Sequence, residues 1–113
     1  MRLAVVGSRA FSDPTEVYRM LDFYKPTVIV SGGACGVDSI AEQWAEEHEV
    51  SALIFKPNWK LYGKRAGAIR NAEIVSACEW LIAFWDGKSK GTKISIDLAK
   101  KKGKLLDIIY DKL

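Results

Sequence analysis

The amino-acid sequence predicts an α/β domain with a mainly parallel five-stranded sheet and helices on both faces. Short apolar runs alternate with segments of helical periodicity along the whole chain. The runs are apolar on both faces, which is typical of parallel strands covered by helices on each side. The 113 residues suit one core, and no repeat or linker divides them. We therefore expect a single domain over residues 1–113.

The first elements carry clear boundary signals. Residues 3–6 (LAVV) predict a strand. Asp13 is an N-cap candidate, with Pro14 at the first helical position and Glu16 three residues after the cap, so a helix is predicted over 14–24. The remaining predicted elements are a strand over 27–30, a helix beginning near Val37, a strand over 52–55, a loop over 56–64, a helix marked by Ala68 to Val75, a strand over 80–84, a helix over 94–102 and a strand over 105–109.

The composition excludes several classes of protein. It is 49% hydrophobic and 27% charged, which is ordinary for a globular chain. No apolar run approaches the roughly 20 residues that span a bilayer, and the segment MRLAVVGSRAF is too short and glycine-broken for a signal peptide. Cys35 and Cys78 match no metal-binding spacing and are interpreted as reduced thiols. We expect a cytoplasmic protein with no membrane partner, no metal and no cofactor.

Three polar, glycine-bearing turns are predicted at one edge of the sheet. Right-handed crossovers favour a three-layer, Rossmann-like domain with strand order 3-2-1-4-5. Ligands of such sheets bind beyond the carboxyl ends of the strands, near the switch between strands one and four. The turns at that edge are Gly7-Ser8-Arg9, Ser31 to Gly36, and Asp86 to Thr92. Their convergence is the strongest functional signal among these patterns.

The second turn has the composition of a phosphate-binding loop. Gly32 and Gly33 lack a Cβ, so a phosphate can approach the backbone there, and Gly36 suits close packing of strand and helix. The following helix points its N–H groups at an anion. Asp38 either contacts the ligand or caps those N–H groups. Ser31 stands where a dinucleotide fingerprint has its first glycine, so an ordinary NAD site is not expected.

The third turn, DGKSKGT, also leads from a strand into a helix. It contains GKS but lacks the preceding glycine-rich segment of a Walker loop, so a P-loop is rejected. Together with the second turn it can hold one phosphate-bearing ligand between two helix N-termini. The alternative is that both turns are merely short connections between elements.

Side chains outside the turns add further candidates. Arg9 and Arg70 can make bidentate contacts with phosphate or carboxylate, and Arg70-Asn71 can close over the site or simply lie on the surface. Trp59 either stacks on a base or seals the edge of the core. No Ser-His-Asp, Cys-His or paired-carboxylate constellation is present, so a hydrolytic triad has no support.

Four segments, in this order, resemble a known group of proteins: VVGSRAFSD, VSGGACGVDSIAEQWA, YGKRAGAIRN and AFWDGKSKGT. They are similar to the small YspA-type proteins of the SLOG superfamily, which includes the Lonely Guy enzymes and the Rossmann domain of DNA-processing protein A. The resemblance runs from Val5 to about Lys104 and implies a domain that binds nucleotides or nucleotide-derived ligands. With the turns, it predicts these ligand-binding residues: Gly7, Ser8, Arg9, Ser31, Gly32, Gly33, Ala34, Gly36, Asp38, Trp59, Arg70, Asn71, Asp86, Gly87, Ser89, Gly91 and Thr92.

One departure from the resemblance concerns catalysis. Lonely Guy enzymes cleave the N-glycosidic bond of a nucleoside monophosphate and carry PGG-x-GT-x-x-E on the turn after the fourth strand. Here Trp85-Asp86-Gly87 replaces PGG, and Ser95 stands at the position of the glutamate, whereas the family's arginine has a counterpart in Arg70. Arg70 and Asp86 are therefore the predicted catalytic pair, if any bond is cleaved. Alternatively, Asp86 binds a ribose hydroxyl or caps the following loop.

Three functions follow as hypotheses. The first is binding of a nucleotide or nucleotide-derived ligand by a sensor, carrier or sequestering module. The alternative is a phosphoribohydrolase-like nucleosidase acting on nucleoside monophosphates. The second alternative, single-stranded nucleic-acid binding, comes from the similarity to DNA-processing protein A, and the net charge of only +3 weighs against it. The resemblance and the aromatic content also suggest a homodimer or higher homo-oligomer.

Overall fold

The sheet of the computed structural model confirms the predicted topology. The structure describes residues 1–11 and 13–111, so Ser12 of the VVGSRAFSD segment and the last two positions of the predicted domain lie outside the described residues. All pairs in the five-stranded sheet are parallel, in the order β3-β2-β1-β4-β5. The elements are β1 (Arg2–Gly7), α1 (Pro14–Tyr24), β2 (Val28–Ser31), α2 (Val37–Glu47), β3 (Ser51–Ile54), α3 (Trp59–Tyr62), a 3-10 turn (Gly63–Arg65), α4 (Ala66–Ala77), β4 (Trp80–Trp85), α5 (Lys90–Lys101) and β5 (Leu105–Tyr110).

The central strand β1 explains why the sheet is covered on both sides. Leu3 and Val5 pack into the core formed with α1 and α2. Ala4 and Val6 pack into the second core, which α4 and α5 complete. Successive side chains of a strand point to opposite faces, so a strand between two helical layers must be apolar throughout. The LAVV run is the sequence signature of that position.

Helix α1 begins and ends where local signals predict. The Asp13 carboxylate accepts hydrogen bonds from the backbone N–H of Thr15 at 3.0 Å and of Glu16 at 3.3 Å. Lys25 adopts a left-handed conformation with φ of 50°, and its N–H donates to the carbonyl of Leu21, which ends the helix. The predicted span 14–24 is confirmed.

Two predicted boundaries near the site are wrong, because side-chain caps begin helices earlier than the apolar periodicity indicates. The predicted loop over 56–64 contains α3, since the Asn58 side chain accepts a hydrogen bond from the N–H of Leu61 at 3.1 Å and caps a helical turn. Helix α5 begins at Lys90 and not near Ile94, because Ser89 is its N-cap. No helix in residues 1–11 and 13–111 is long and apolar enough to cross a membrane.

Strand β3 departs from the prediction of strands covered on both faces. It is an edge strand, and each of its four residues, Ser51–Ile54, is exposed. Its register with β2 is nevertheless regular, with Ile29 opposite Ala52 and Val30 opposite Leu53. An apolar run alone does not distinguish an edge strand from a central one, so only the strand order reveals this exposure.

Candidate functional site

A cavity of about 390 Å³ opens where the carboxyl ends of β1 and β4 meet α4 and α5. This is the point where the strand order changes direction, the usual ligand position in open parallel sheets. Most predicted ligand-binding residues line it: Gly7, Ser8, Arg9, Ala34, Asp38, Arg70, Asn71, Asp86, Ser89, Gly91 and Thr92. The structure thus brings the three turns and the Arg70-Asn71 pair together around one space.

The remaining predicted residues do not line this cavity: Ser31, Gly32, Gly33, Gly36, Trp59 and Gly87. Four residues outside the predicted set do: Val6, Ala10, Ile74 and Ser95. For Val6, Ala10 and Ile74, the sequence does not distinguish a residue in a cavity wall from a residue in the core. Ser95 was identifiable, because it occupies the position of the glutamate in the resembling enzymes, and it is buried against the cavity.

The first and third turns are tied together by Ser8. The buried Ser8 hydroxyl accepts a hydrogen bond from the N–H of Asp86 at 3.0 Å. The Ser8 N–H donates to the carbonyl of Phe84 at 3.0 Å, which continues the pairing of β1 with β4 beyond Gly7. Two turns from distant parts of the sequence are therefore joined at the floor of the cavity.

The β4–α5 turn, residues 86–89, is closed by its own side chains. One oxygen of the Asp86 carboxylate accepts hydrogen bonds from the N–H of Lys88 and of Ser89, both at 2.8 Å. These backbone donors lower the pKa of Asp86, so the carboxyl is held in its charged form. The Ser89 hydroxyl then accepts from the N–H of Thr92 at 3.4 Å and caps α5. Asp86 serves here as a cap, one of its predicted roles.

The β2–α2 turn, residues 32–36, is held instead by an arginine from α4. Arg70 donates from Nη1 to the carbonyl of Gly32 at 2.8 Å and from Nε to Oδ1 of Asn71 at 3.0 Å. A Cβ on Gly32 would lie 2.5 Å from Nη1, so only glycine leaves room for this contact. Arg70 both lines the cavity and clamps the glycine turn.

Ser31 and Gly36 support the turn and do not face the cavity. The Ser31 hydroxyl is fully buried, donates to the carboxylate of Glu42 and accepts from the N–H of Gly33 at 3.3 Å. Gly36 has a φ of 82° and lies so close to the first turn that a Cβ would be 2.9 Å from the carbonyl oxygen of Arg9. These residues shape the turn through packing and backbone conformation.

Asp38 places a buried carboxyl in the cavity wall. It is 7% exposed and accepts a hydrogen bond from the N–H of Ala34 at 3.2 Å. Burial raises the pKa of Asp38 to about 6, against the opposing effects of the Ala34 amide and of the Arg70 guanidinium. Asp38 therefore gains and loses a proton close to neutral pH, whereas Asp86 stays charged.

Trp59 lies away from the cavity. Its side chain is 59% exposed on α3, near Gly67 at the start of α4. It neither seals the core nor reaches the site in this conformation. Base stacking by Trp59 stays a prediction without geometric support.

The wall of the cavity combines both charges with hydroxyl groups. Arg9 and Arg70 supply guanidinium groups, while Asp38 and Asp86 supply carboxylates. The hydroxyls come from Ser8, Ser89, Thr92 and Ser95. Such a wall suits a ligand that carries an anionic group and several hydrogen-bonding groups.

Comparison with known proteins places the chain in a family. The sequence model of the YspA, cpYpsA-related SLOG family (YAcAr) matches residues 1–62, which is more than half of the chain. The Gene 61 protein of Mycobacterium phage D29 is 35% identical, over 90% of this chain and 90% of that protein. No solved structure matches significantly. The chain belongs to the YspA, cpYpsA-related SLOG family.

Proposed function

We propose that this SLOG family member binds a nucleotide or nucleotide-derived ligand in the cavity and acts as a sensor, carrier or sequestering module. The observation that carries the proposal is the convergence of the three turns, with α5, on one cleft. Its volume of about 390 Å³ falls within the roughly 300–1,000 Å³ of small-molecule sites. Family membership supports a nucleotide-related ligand.

The N-terminus of α5 is the proposed phosphate position. The Ser89 side chain satisfies only the N–H of Thr92, so the N–H groups of Lys90 and Gly91 have no intrahelical acceptor. Gly91 has no atom within 4 Å of the place where a Cβ would stand, which leaves its backbone open to a ligand. A helix N-terminus favours an anion through these N–H groups and through the helix dipole.

The two carboxylates indicate where the sugar lies. Asp38 and Asp86 repel a phosphate when charged but accept hydrogen bonds from hydroxyl groups. We therefore place the phosphate at α5 with Thr92, and the ribose hydroxyls toward the carboxylates. A ligand with both groups fits this wall better than inorganic phosphate alone.

Calorimetric titration tests the proposal with nucleoside mono-, di- and cyclic phosphates, ADP-ribose-type ligands, free nucleosides and inorganic phosphate. A ligand at 100 times its Kd stabilises the fold by about 2.7 kcal/mol, so thermal unfolding offers a second readout. Thr92→Val, in the cavity, should weaken binding about tenfold or more. Thr15→Val, on the exposed start of α1, is the matched control. The proposal fails if no nucleotide binds, or if both variants bind equally well.

A nucleosidase is the second candidate, favoured by the buried Asp38 carboxyl. Hydrolysis of an N-glycosidic bond breaks C1′–N, transfers a proton to the base and adds hydroxide from water to C1′. The predicted pair of Arg70 and Asp86 lacks a proton donor, since Asp86 is held charged. Asp38, with a pKa of about 6, can donate that proton and its carboxylate regains one from the attacking water, while Asp86 can stabilise positive charge on the sugar.

Chromatographic detection of free base from nucleoside monophosphates tests this second candidate. Asp38→Asn should reduce turnover by about a hundredfold or more, since a general acid contributes that much. Asp86→Asn should also slow the reaction. Absence of free base across the panel would reject the nucleosidase hypothesis without affecting the proposed binding function.

Single-stranded nucleic acid remains the least supported ligand. The cavity is a short cleft between turns with both charges in its wall, whereas such strands are usually held in long basic grooves with stacking aromatics. Trp59, the aromatic predicted to stack, does not line it. Binding of oligonucleotides that weakens steeply with salt would revive this alternative.

A further inference from the structure

Helices α2 and α5 both begin at the cavity, but their first turns differ in whether a ligand can reach the backbone. At α5 the backbone of Gly91 is uncovered, because a Cβ there would meet no atom within 4 Å. At α2 the N-cap residue is Gly36, which offers no side-chain cap. Asp38, in the first turn of α2, instead reaches back into the preceding glycine turn with its carboxylate.

The Asp38 carboxylate lies on the backbone that a phosphate would need. Its Oδ2 accepts a hydrogen bond from the N–H of Ala34 at 3.2 Å and would lie 3.1 Å from a Cβ on Gly32. Phosphate oxygens bind to N–H groups of this kind, between the end of a strand and the start of a helix. Asp38 is 7% exposed and belongs to the cavity wall. The protein's own carboxylate therefore stands where the glycine turn would hold an anion.

Other groups of the glycine turn are also engaged by the protein itself. The N–H of Gly33 donates to the Ser31 hydroxyl at 3.3 Å. A Cβ on Gly33 would lie 2.9 Å from the side chain of Ile54, so this position is covered as well. Neither Gly32 nor Gly33 lines the cavity. A phosphate would have to displace Asp38 to bind this turn.

Asp38 also balances the positive charge on this side of the cavity. A Cβ on Gly32 would lie 2.5 Å from Nη1 of Arg70, so the guanidinium and the Asp38 carboxylate approach the same glycine. Burial raises the pKa of Asp38 to about 6, against the attraction of Arg70, and the carboxyl is therefore mostly ionised at neutral pH. A phosphate that approached Arg70 from this side would meet a negative charge beside it.

We propose that Asp38 is a specificity-determining residue that occupies the anion position of the glycine turn and restricts the cavity to ligands with a single phosphate group. The inference rests on the proposed function, in which that phosphate lies at α5. A second phosphate directed from α5 toward α2 meets the Asp38 carboxylate, whereas a ribose hydroxyl in the same place donates a hydrogen bond to it. Nucleoside monophosphates and their cyclic forms fit this arrangement, and ligands with a pyrophosphate do not. Such rejection by like charge is a common source of specificity.

Calorimetric titration with the mono- and diphosphates of adenosine, guanosine, cytidine and uridine tests the inference at about pH 7.5, where Asp38 is ionised. For each nucleoside whose phosphates bind, the wild-type protein should bind the monophosphate about tenfold or more tightly than the diphosphate. Asp38→Asn keeps an oxygen for the N–H of Ala34 but removes the charge. It should lower this ratio of affinities about tenfold, mainly by improving binding of the diphosphate. Glu46→Gln removes one negative charge from an exposed position of the same helix and should leave the ratio unchanged.

The outcomes separate this inference from the proposed function. A wild-type protein that binds diphosphates as tightly as monophosphates overturns the inference without affecting nucleotide binding, and this measurement needs no substitution. An unchanged ratio in Asp38→Asn, with thermal unfolding showing that the variant is folded, overturns it too and leaves Asp38 as a structural cap of the turn. Equal changes in Asp38→Asn and Glu46→Gln would trace the effect to net charge alone and reject the role of Asp38. If no nucleotide binds, the proposed function fails and the inference fails with it.

Discussion

Two of the three glycine-bearing turns around the cavity, β2–α2 and β4–α5, use the same residue type for opposite purposes. In the β2–α2 turn the glycines are enclosed, with Gly32 beneath the Arg70 guanidinium and Gly36 against the backbone of Arg9. At the β4–α5 turn and the start of α5, a Cβ on Gly87 or Gly91 would meet no atom within 4 Å. Glycine provides room for the protein's own atoms in the first case and leaves open space in the second.

The turns also differ in what holds them. The β4–α5 turn is closed by Asp86 and Ser89, which bond to backbone groups two or three residues away. The β2–α2 turn depends on Arg70, which is 38 residues from Gly32 in sequence. One is thus a local structure, and the other forms only when α4 has packed on the sheet.

Adding a methyl group to each turn tests whether crowding distinguishes their glycines. Gly36 and Gly87 have nearly the same φ, 82° and 81°, but only Gly36 is crowded. Gly36→Ala should lower the free energy of unfolding by about 3 kcal/mol and Gly87→Ala by about 1 kcal/mol, because both substitutions place alanine at a positive φ but only Gly36→Ala also creates a clash with Arg9. Urea denaturation measures both. Equal losses would show that the contact with Arg9 has no energetic importance.

The contributions of Asp38 and Asp86 to the free energy of unfolding should change with pH in opposite directions. The folded-state pKa of Asp38 is about 6, above the ordinary value of 3.8, so the folded state binds more protons between these two pH values. Its ionisation therefore costs stability as pH rises from about 4 to about 6. Asp38→Asn should gain on the order of 2 kcal/mol relative to wild type between pH 4 and pH 7.

Asp86→Asn is the counterpart in the other turn. The folded-state pKa of Asp86 is lowered, so its charge stabilises the fold above the unfolded pKa, and this contribution is lost as pH falls through the folded pKa. The variant should be less stable than wild type at pH 7, with the difference closing in acid. Thermal unfolding across this pH range measures both variants, and the same sign for both would contradict the assignment.

Removing the long-range clamp should have an intermediate effect. Arg70→Met abolishes the hydrogen bonds to Gly32 and Asn71 and should lower the free energy of unfolding by about 1–2 kcal/mol. Arg9→Met, at an exposed cavity position, should change it by less than about 0.5 kcal/mol. Amide exchange at Gly33 and Ala34 should accelerate only in Arg70→Met. If exchange at Gly33 and Ala34 is unchanged in Arg70→Met, the β2–α2 turn is stable without the Arg70 contact.

The substitutions Gly91→Ala and Gly67→Ala should have the smallest effects on stability, and only one of them should affect ligand binding. Gly91 and Gly67 both occupy the second position of a helix, α5 and α4, and a Cβ at either meets no close contact. Each change to alanine should raise the free energy of unfolding by up to about 0.5–1 kcal/mol. Only Gly91→Ala should weaken nucleotide binding in calorimetry, because only Gly91 lines the cavity. Equal affinities would move the proposed phosphate position away from α5.

Features held by local contacts were predictable from the sequence, and features held by long-range contacts were not. The limits of α1 were predictable because caps act over a few residues, and the strand order was predictable because alternating strands and helices connect by right-handed crossovers. The caps Asn58 and Ser89 are equally local signals, and they mark the starts of α3 and α5 that the apolar periodicity alone did not predict. The exposure of β3 had no local signal at all, since it follows from the position of the strand at the edge.

The order of the elements, and the edge of the sheet at which the three turns meet, follow from the amino-acid sequence alone. Three features depend on tertiary contacts: Ser31 bonds to Glu42, Arg70 clamps Gly32, and Asp38 is buried enough to have a pKa of about 6. The physical reason is one of range. Periodicity and capping depend on neighbours within a few residues, whereas burial and charge environment depend on atoms from distant segments that meet only in the folded protein.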